Sequence, residues 1–258
     1  MNRIIQGDSL SVLKTLPAES INCCVTSPPY NKGYYDKHKP HKSDVWQQRN
    51  IAYGDFKDNL KPEEYIIQQT NILKELSRII KIDGSIFYNT KPVIANHKLI
   101  YPTFVFDFNV RQQIIWDRGS TPQLAPIRWF PTTEYIFWIT KTNKQPKFYR
   151  KGNHTKEVWR INPKPMKEHP APFPEELVHQ CIISTTDEND TVLDPYCGSG
   201  TAGVVSQKLN RNFIGIELNP EYIEIAKNRL DKGKSIWTWK SIKGDKWTDT
   251  TLKDKGNE

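Results

Sequence analysis

The sequence contains no apolar run near the roughly 18 residues that a membrane-spanning helix needs, and its mean hydropathy is −0.68. Its first residues lack the apolar stretch of a secretion signal, so we expect no export. Only four of the 258 residues are cysteines, and no two of them form a CxxC pair. These absences argue against a zinc or disulfide framework and predict buried, reduced thiols in a cytoplasmic protein.

Two common nucleotide-binding motifs are also missing. The chain has neither the GxxxxGK[ST] pattern of phosphate loops nor the GxGxxG pattern of dinucleotide-binding folds. Acidic residues are fewer than basic ones, which gives a net charge of +8 and a pI of about 9.1. A basic surplus favours a polyanionic partner such as nucleic acid, because Lys and Arg displace the counterions that surround phosphates.

Part of the basic surplus lies in one segment, residues 141–168. There the cations alternate with the rings of Phe148, Tyr149 and Trp159. Such a mixture is typical of a surface that contacts phosphates and stacks on bases. A solvated loop with a few buried rings would have the same composition, so both interpretations stay open at this point.

Apolar patterning predicts strands that alternate with helices. The predicted strands are 4–5, 21–25, 85–89, 111–117, 133–140, 191–193 and 213–217. The predicted helices are 9–16, 61–80, a short or irregular one in 98–108, 174–183, one after Thr201, and 220–230. Ser9 is the expected cap of the first helix, and Asp83-Gly84 the expected turn before strand 85–89. The alternation indicates a mostly parallel α/β sheet with helices on both faces, in which 111–117 and 133–140 pair as antiparallel strands.

The most informative local feature is the run from Val192 to Thr201, which reads VLDPYCGSGT. A strand ends in Asp194, and small residues then allow a sharp turn beside a ligand before a helix begins. Without a phosphate-gripping Lys, such a loop suits a nucleoside cofactor. Glu217 ends the following strand, where an acid in this class of fold accepts hydrogen bonds from ribose hydroxyls.

The second feature is Thr26-Ser27-Pro28-Pro29-Tyr30, also at the end of a strand. Two prolines make the backbone rigid and extended. The Ser27 hydroxyl and the backbone carbonyls are acceptors for an amino group, and the Tyr30 ring is a surface on which a planar base can stack.

Together these runs resemble a known family. Residues 26–30 resemble the catalytic (S/T/D/N)PP(Y/F) motif of DNA amino-methyltransferases, and residues 194–201 resemble their DPFxGSGT cofactor loop. The catalytic motif precedes the cofactor loop, as in the circularly permuted beta group of restriction-modification type. Shorter segments in family order extend the resemblance over about residues 1–230. They are Gly7-Asp8, the strand Glu134-Tyr135-Ile136-Phe137-Trp138, and His169-Pro170-Ala171-Pro172-Phe173-Pro174-Glu175.

The resemblance implies a doubly wound α/β fold of the Rossmann-like methyltransferase type, circularly permuted, with a mostly parallel seven-stranded sheet and an antiparallel edge hairpin. It implies S-adenosyl-L-methionine as the cofactor and no metal. The implied catalytic residues are Ser27, Pro28, Pro29 and Tyr30. The implied cofactor-binding residues are Asp8, Thr26, Pro172, Phe173, Asp194, Pro195, Tyr196, Cys197, Gly198, Ser199, Gly200, Thr201, Glu217 and Leu218.

The implied reaction takes place on a base that has been flipped out of duplex DNA. Ser27 in the motif favours cytosine N4 as the target, with adenine N6 as the alternative. The sequence has no Pro-Cys pair of the kind that carries the nucleophile of cytosine-C5 enzymes. A short site is expected to be read by the recognition segment 141–168. The expected DNA-binding residues there are Lys147, Arg150, Lys151, Asn153, His154 and Arg160.

We expect one catalytic domain, residues 1–258, with a mobile loop at 31–60 that closes over DNA and a frayed tail at 240–258. A cognate restriction endonuclease and a homodimer are expected partners. Two other functions stay open. One is an RNA or small-molecule methyltransferase with the same fold, and the other is a non-catalytic nucleic-acid binding module.

Overall fold

A computed structural model describes residues 2–31, 59–95, 98–120, 129–163 and 173–232. Its strands are β1 Asn2–Gln6, β2 Ile21–Thr26, β3 Ile80–Thr90, β4 Val93–Ala95, β5 Lys98–Ile100, β6 Val110–Asp117, β7 Thr133–Thr140, β8 Val158–Arg160, β9 Thr191–Asp194 and β10 Asn212–Glu217. Its α-helices are α1 Ser9–Thr15, α2 Pro62–Ile79, α3 Glu175–Thr185, α4 Thr201–Lys208 and α5 Pro220–Lys232. A 3-10 helix covers Thr103–Asp107.

Among the described residues, the main sheet has eight strands in the order β1-β10-β9-β2-β3-β7-β6-β8. The strands from β1 to β3 are parallel, whereas β7 is antiparallel to both neighbours, β3 and β6. The predicted doubly wound, mostly parallel class with an antiparallel hairpin is confirmed. The predicted number of seven strands is one short, because β8 pairs in parallel with β6 outside the hairpin. Strands β4 and β5 form a separate antiparallel pair.

Strand direction defines two edges of the sheet. Strands β1, β2, β3, β9 and β10 all end at one edge, which we call the carboxyl edge; the opposite edge is the amino edge. Strand β7 begins at the carboxyl edge, and β6 and β8 end there, because β7 is antiparallel to β3 and β6. Ligands of parallel α/β sheets bind at the carboxyl edge.

Helices cover each face of the sheet, and the central strand β2 is buried along its whole length. Neighbouring residues of a strand point to opposite faces. Cys23 therefore packs in the core that contains Val178 of α3, and Cys24 in the core that contains Leu73 of α2. All four cysteines are free and buried, as predicted. Burial raises the pKa of each thiol, which keeps it protonated.

Two local predictions were wrong in detail. Helix α1 is capped by Asp8, whose carboxylate accepts from Ser11 N at 2.9 Å, and Ser9 is the first helical residue. Asp83-Gly84 makes no turn, because β3 runs through it from Ile80. A Cβ at Gly84 would lie 2.8 Å from the backbone oxygen of Asn22, so glycine there permits close approach of β2.

The prediction of a helix in 98–108 fails for its first half. Residues 98–100 form β5, and only a 3-10 helix follows, with Pro102 at its N-cap. Proline lacks the N–H that a longer α-helix would need at that position. Phe104 and Val105 of this turn are buried against the α2 side of the sheet.

Several predictions fall outside the described residues. They concern most of the loop 31–60, the tail 240–258, residues 164–168 of the recognition segment, and Pro172. Within the described ranges, no helix is both long and apolar enough to cross a membrane.

Candidate active site

The carboxyl edge brings together the two motifs that the sequence singled out. Thr26 ends β2 and Asp194 ends β9, and these strands are neighbours in the sheet. The Thr26 hydroxyl donates to Asp194 Oδ1 at 2.9 Å, although the two residues are 168 positions apart. The predicted catalytic motif therefore begins beside the predicted cofactor loop.

Asp194 is held at the base of this site. Its side chain is buried, with 4% of the residue exposed, and Oδ1 also accepts from Tyr196 N at 3.1 Å. Burial raises the pKa of the Asp194 carboxyl to about 7, because the charged form loses hydration, although the two hydrogen bonds oppose this shift. The nearby Glu217 carboxylate adds to the rise.

The loop that follows Asp194 is held tightly by backbone contacts. Cys197 N donates to Ile216 O at 3.0 Å, and Gly200 N donates to Cys197 O at 2.8 Å. Gly200 is left-handed, with φ of 78°, and a Cβ there would lie 2.8 Å from Ala226 Cβ. The Arg229 guanidinium donates to the Ser199 carbonyl at 2.7 Å. Helix α5 thus fixes the shape of the loop.

Acidic side chains lie on both sides of this loop. Glu217 Oε2 accepts from Gly198 N at 2.8 Å, while Oε1 accepts from Leu218 N and Asn219 N at 2.9 Å. Asp8 follows β1, the strand next to β10, and the adjacent Ser9 hydroxyl donates to Pro195 O at 2.6 Å.

This set of residues fits a nucleoside cofactor. The carboxylates of Asp8 and Glu217 are acceptors for hydroxyl and amino groups, and Gly198 in the turn carries no side chain that would occupy the space beside them. Phe173 lies beside the core, with its ring centroid 6.4 Å from that of Trp116. Its predicted neighbour Pro172 is outside the described residues.

The Ser27-Pro28-Pro29-Tyr30 run extends from β2 into the same edge. Pro28 is buried, and the Pro29 carbonyl accepts from the Tyr65 hydroxyl at 2.9 Å. The Ser27 and Tyr30 hydroxyl oxygens are 2.9 Å apart. The rigid backbone therefore holds both side chains on one side of the site.

Three residues near Tyr30 were not predicted as site residues, although one of them, Glu134, lies in the segment 134–138 that resembles the family. Asn89 lies near the end of β3 and donates to the Tyr30 hydroxyl oxygen at 2.6 Å. Glu134 is the second residue of β7 and accepts from the same hydroxyl at 2.9 Å, and Arg118 donates to Glu134 at 2.8 Å. A buried polar residue at the end of an apolar strand was the available signal, since Asn89 and Glu134 both fit that description.

The predicted recognition segment crosses the molecule from one edge to the other. Lys147 lies at the amino edge, where its Nζ forms ion pairs with Asp187 at 2.9 Å and Asp190 at 3.0 Å. Arg160 ends β8 at the carboxyl edge with 85% of its side chain exposed. The structure therefore brings Arg160, but not Lys147, to the edge that carries the predicted catalytic motif.

The remaining residues of this segment lie between these two ends. Arg150, Lys151 and Asn153 are exposed, and the Lys151 carbonyl accepts from Gln180 of α3 at 2.8 Å. His154 forms a 3.1 Å contact with Glu176 and stacks on Trp159. Trp159 is buried, so this ring belongs to the core.

Comparison with known proteins agrees with the site. The sequence model of the DNA methylase family N6_N4_Mtase matches residues 21–228. The Type II methyltransferase M.Cfr9I of Citrobacter freundii is 30% identical, over 88% of this chain and 87% of its own. Among solved structures, the cytosine-N4-specific PvuII DNA methyltransferase has a TM-score of 0.69 at 22% identity, covering 90% of each chain.

A DNA modification methylase of Thermus thermophilus, solved as a complex with S-adenosyl-L-methionine, has a TM-score of 0.64 at 21% identity. It covers 92% of this chain and 98% of its own. The chain belongs to the N6_N4_Mtase family of DNA methylases, enzymes that methylate exocyclic amino groups of DNA bases with S-adenosyl-L-methionine as cofactor.

Proposed function

We propose that this enzyme methylates the N4 amino group of a cytosine that has been flipped out of a short, specific site in duplex DNA. The hydrogen bond from Thr26 to Asp194 carries the proposal, because it places the Ser-Pro-Pro-Tyr run next to the cofactor loop. A base bound against Ser27 then lies beside the cofactor, which is the arrangement that direct transfer requires.

The cofactor supplies a methyl group on a positively charged sulfur. In our proposal Glu217 accepts hydrogen bonds from the ribose hydroxyls and Asp8 lies toward the adenine. The loop 194–201 encloses the centre of the cofactor, with Leu218 and Phe173 as apolar walls. The backbone bonds that hold Gly198 and Gly200 mean that little reorganisation is needed on binding.

The target amino group is bound by acceptors of the catalytic motif. The Ser27 hydroxyl oxygen and the Pro28 carbonyl accept its hydrogens, which directs the nitrogen lone pair toward the methyl carbon. The Tyr30 ring provides the stacking surface for the flipped base. Pro28 and Pro29 keep these groups in place, since their φ angles are fixed.

Cytosine is favoured over adenine by the serine of the motif. The structural likeness to the cytosine-N4-specific PvuII enzyme agrees with this choice, although at 22% identity it demonstrates the fold alone. Adenine N6 is the alternative within the same chemistry, because both bases present an amino group in the same plane as the ring.

Duplex DNA is proposed to lie along the carboxyl edge, where Arg160 is exposed. A cytoplasmic location follows from this substrate. A homodimer and a cognate restriction endonuclease are further proposals, supported by the Type II methyltransferase names of the relatives.

The test is transfer of labelled methyl from S-adenosyl-L-methionine to mixed-sequence duplex DNA, followed by separation of the nucleosides by mass. We expect labelled N4-methylcytosine, and we expect Ser27→Ala to lower the yield by roughly 100-fold, the size of effect seen when one key hydrogen-bonding group of an active site is removed. A second preparation carrying Ser20→Ala controls for handling, because Ser20 precedes β2 at the amino edge and its hydroxyl donates to Pro17 O. Loss of label in Ser27→Ala itself excludes a contaminating methylase.

Each outcome decides something. Labelled N6-methyladenine would replace the target base and keep the rest of the proposal. Label in RNA and none in DNA would overturn the substrate, and cofactor binding without any transfer would favour the non-catalytic binding module.

A further inference from the structure

A buried carboxylate lies behind the catalytic motif. Glu134 is 6% exposed, and its two oxygens accept from three donors. Oε2 accepts from the Tyr30 hydroxyl at 2.9 Å and from Asn89 Nδ2 at 2.9 Å. Oε1 accepts from an Arg118 N–H at 2.8 Å. The ion pair with Arg118 fixes which oxygen faces the catalytic motif.

Counting hydrogens gives this network a direction. A carboxylate can only accept, so the single hydrogen of the Tyr30 hydroxyl goes to Glu134. The 2.9 Å contact between Ser27 and Tyr30 must then be donated by Ser27. Asn89 donates to the Tyr30 oxygen as well, at 2.6 Å. The hydrogen of Ser27 is therefore directed toward Tyr30 and away from the base. Asn89 Nδ2 also lies 3.3 Å from Ser27 Oγ, but its two hydrogens have closer acceptors in Tyr30 and Glu134. The Ser27 lone pairs thus remain to accept.

The same count fixes the orientation of the Asn89 amide. Its nitrogen faces Glu134 and Tyr30, so its oxygen must point away from them. Asn89 is 1% exposed, and Oδ1 has no hydrogen-bond partner among the described residues. A buried acceptor without a donor is costly unless a ligand supplies one. The amino group of a flipped base is such a donor.

We propose that Glu134 is a positioning residue which, through Tyr30 and Asn89, leaves Ser27 Oγ and Asn89 Oδ1 as acceptors. Together with the Pro28 carbonyl, they share the two hydrogens of the target amino group. The inference rests on the proposed function and adds to it the group that orients the hydroxyl hydrogens. Arg118 keeps the Glu134 carboxylate in place. Asn89 touches the base, whereas Glu134 acts only through its neighbours.

The test is the single-turnover rate of methyl transfer by Glu134→Gln, measured with the full-length protein and saturating DNA and S-adenosyl-L-methionine. Arg118 can only donate, so it retains the glutamine oxygen and turns the amide nitrogen toward Tyr30. That nitrogen donates to the Tyr30 oxygen, so the Tyr30 hydroxyl donates to Ser27 instead of accepting from it. We expect a rate loss on the order of 100-fold, comparable to the removal of one preorganised hydrogen bond in an active site.

A positioning role also predicts which quantities stay constant. The dissociation constants for duplex DNA and for the cofactor should change less than about threefold, since no binding group is removed. Glu75→Gln is the matched control, because Glu75 also forms an ion pair with an arginine, Arg78, but on helix α2. It should retain the wild-type rate.

Combination with Tyr30→Phe gives an independent readout. Phenylalanine keeps the stacking ring and removes the hydroxyl through which Glu134 acts. The double variant should therefore lose no more of the single-turnover rate than the more impaired single variant. The effects of residues in one hydrogen-bond network are not additive. This cycle also applies if Glu134→Gln proves unstable, since Tyr30→Phe alone is expected to show the same rate loss with unchanged affinities.

Three results would overturn the inference. They are a wild-type rate in Glu134→Gln, multiplicative losses in the double variant, and losses explained entirely by weaker DNA or cofactor binding. Failure of the proposed function looks different, because the wild-type protein would then transfer no methyl group to DNA.

Discussion

At the scale of single residues, Asp194 shows how burial changes the chemistry of a carboxyl group. It is 4% exposed, and burial raises its pKa to about 7. The unfolded chain loses this proton at a lower pH, near the ordinary value of 3.8. Between these two values the folded protein binds more protons than the unfolded one. Asp194 therefore lowers the free energy of unfolding as pH rises from about 4 to 7.

Asp194→Asn should remove that dependence. The amide oxygen can still accept from Thr26 and Tyr196, but no charge forms inside the protein at high pH. As pH rises from 4.5 to 8, the free energy of unfolding of the variant should increase by roughly 2–4 kcal/mol relative to that of the wild type. Urea unfolding at several pH values measures this difference.

The matched control is Asp107→Asn, which alters an exposed carboxyl group at the end of the 3-10 helix. Its free energy of unfolding should follow the pH profile of the wild type. A constant difference between Asp194→Asn and wild type across the pH range would contradict the raised pKa of Asp194.

Site residues that lie in contiguous motifs can be predicted from the sequence more readily than those that meet through strand pairing. Asp194, Ser27 and Tyr30 belong to contiguous runs whose residue types indicate their chemistry. Asn89 and Glu134 do not, because they meet only through the register of β3 and β7. Asn89 lies opposite Ile136, which makes Glu134 its diagonal neighbour on the same face. Strand register depends on packing of the whole sheet, and the pattern of one strand does not specify it.

At the scale of secondary-structure elements, Gly200 joins the proposed cofactor loop to α4. It adopts a left-handed conformation directly against Ala226 of α5. Gly200→Ala would meet both the conformational penalty of a side chain at positive φ and the steric contact with α5. We expect a loss of roughly 2–4 kcal/mol in free energy of unfolding, together with weaker cofactor binding.

Gly119→Ala separates the two penalties. Gly119 also has a positive φ, of 67°, but an added Cβ meets only the Asn162 side-chain oxygen at 3.2 Å. The free energy of unfolding of this variant should fall by about 1–2 kcal/mol, which is the conformational penalty alone. If chemical denaturation gave equal losses for the two variants, contact with α5 would play no part in shaping the loop.

Elements with strong periodicity were predicted well, and those set by tertiary contacts were not. Helix α2 was expected at 61–80 and occupies Pro62–Ile79, since its apolar residues recur at helical spacing. Strand β3 begins five residues before the predicted 85–89, because Gly84 fits against β2 rather than turning the chain. Strand β8 has only three residues, too few to show a pattern.

At the scale of the whole molecule, the basic charge is not all available to DNA. Lys147 is neutralised by Asp187 and Asp190 at the amino edge. Burial alone would lower the pKa of Lys147, but these partners raise it above the ordinary value for lysine. Arg160 lies at the carboxyl edge, 3.6 Å from Asp117 and largely exposed. Sequence composition could not distinguish the two, because it counts charges without their partners.

Arg160→Ala should therefore weaken binding to duplex DNA, and Lys147→Ala should not. Each phosphate contact contributes about one counterion, so the slope of log affinity against log salt should fall by about 1 in Arg160→Ala. Fluorescence anisotropy of a labelled duplex from 50 to 300 mM salt, roughly the range over which such contacts weaken, measures both quantities. Equal effects of the two substitutions would place DNA across the recognition segment as the sequence alone suggested.

The pairing of β1 with β10 has a consequence for how the protein is made. Strand β1 is complete at Gln6, yet the strand beside which it lies ends only at Glu217. At bacterial-type elongation speeds of about 5–20 residues per second, the nascent β1 waits roughly 10–40 s outside the ribosome before its neighbour emerges. Asp8 and the other groups that follow β1 reach their final positions only after β10 has emerged, so the proposed cofactor pocket is completed long after Asp8 itself is translated.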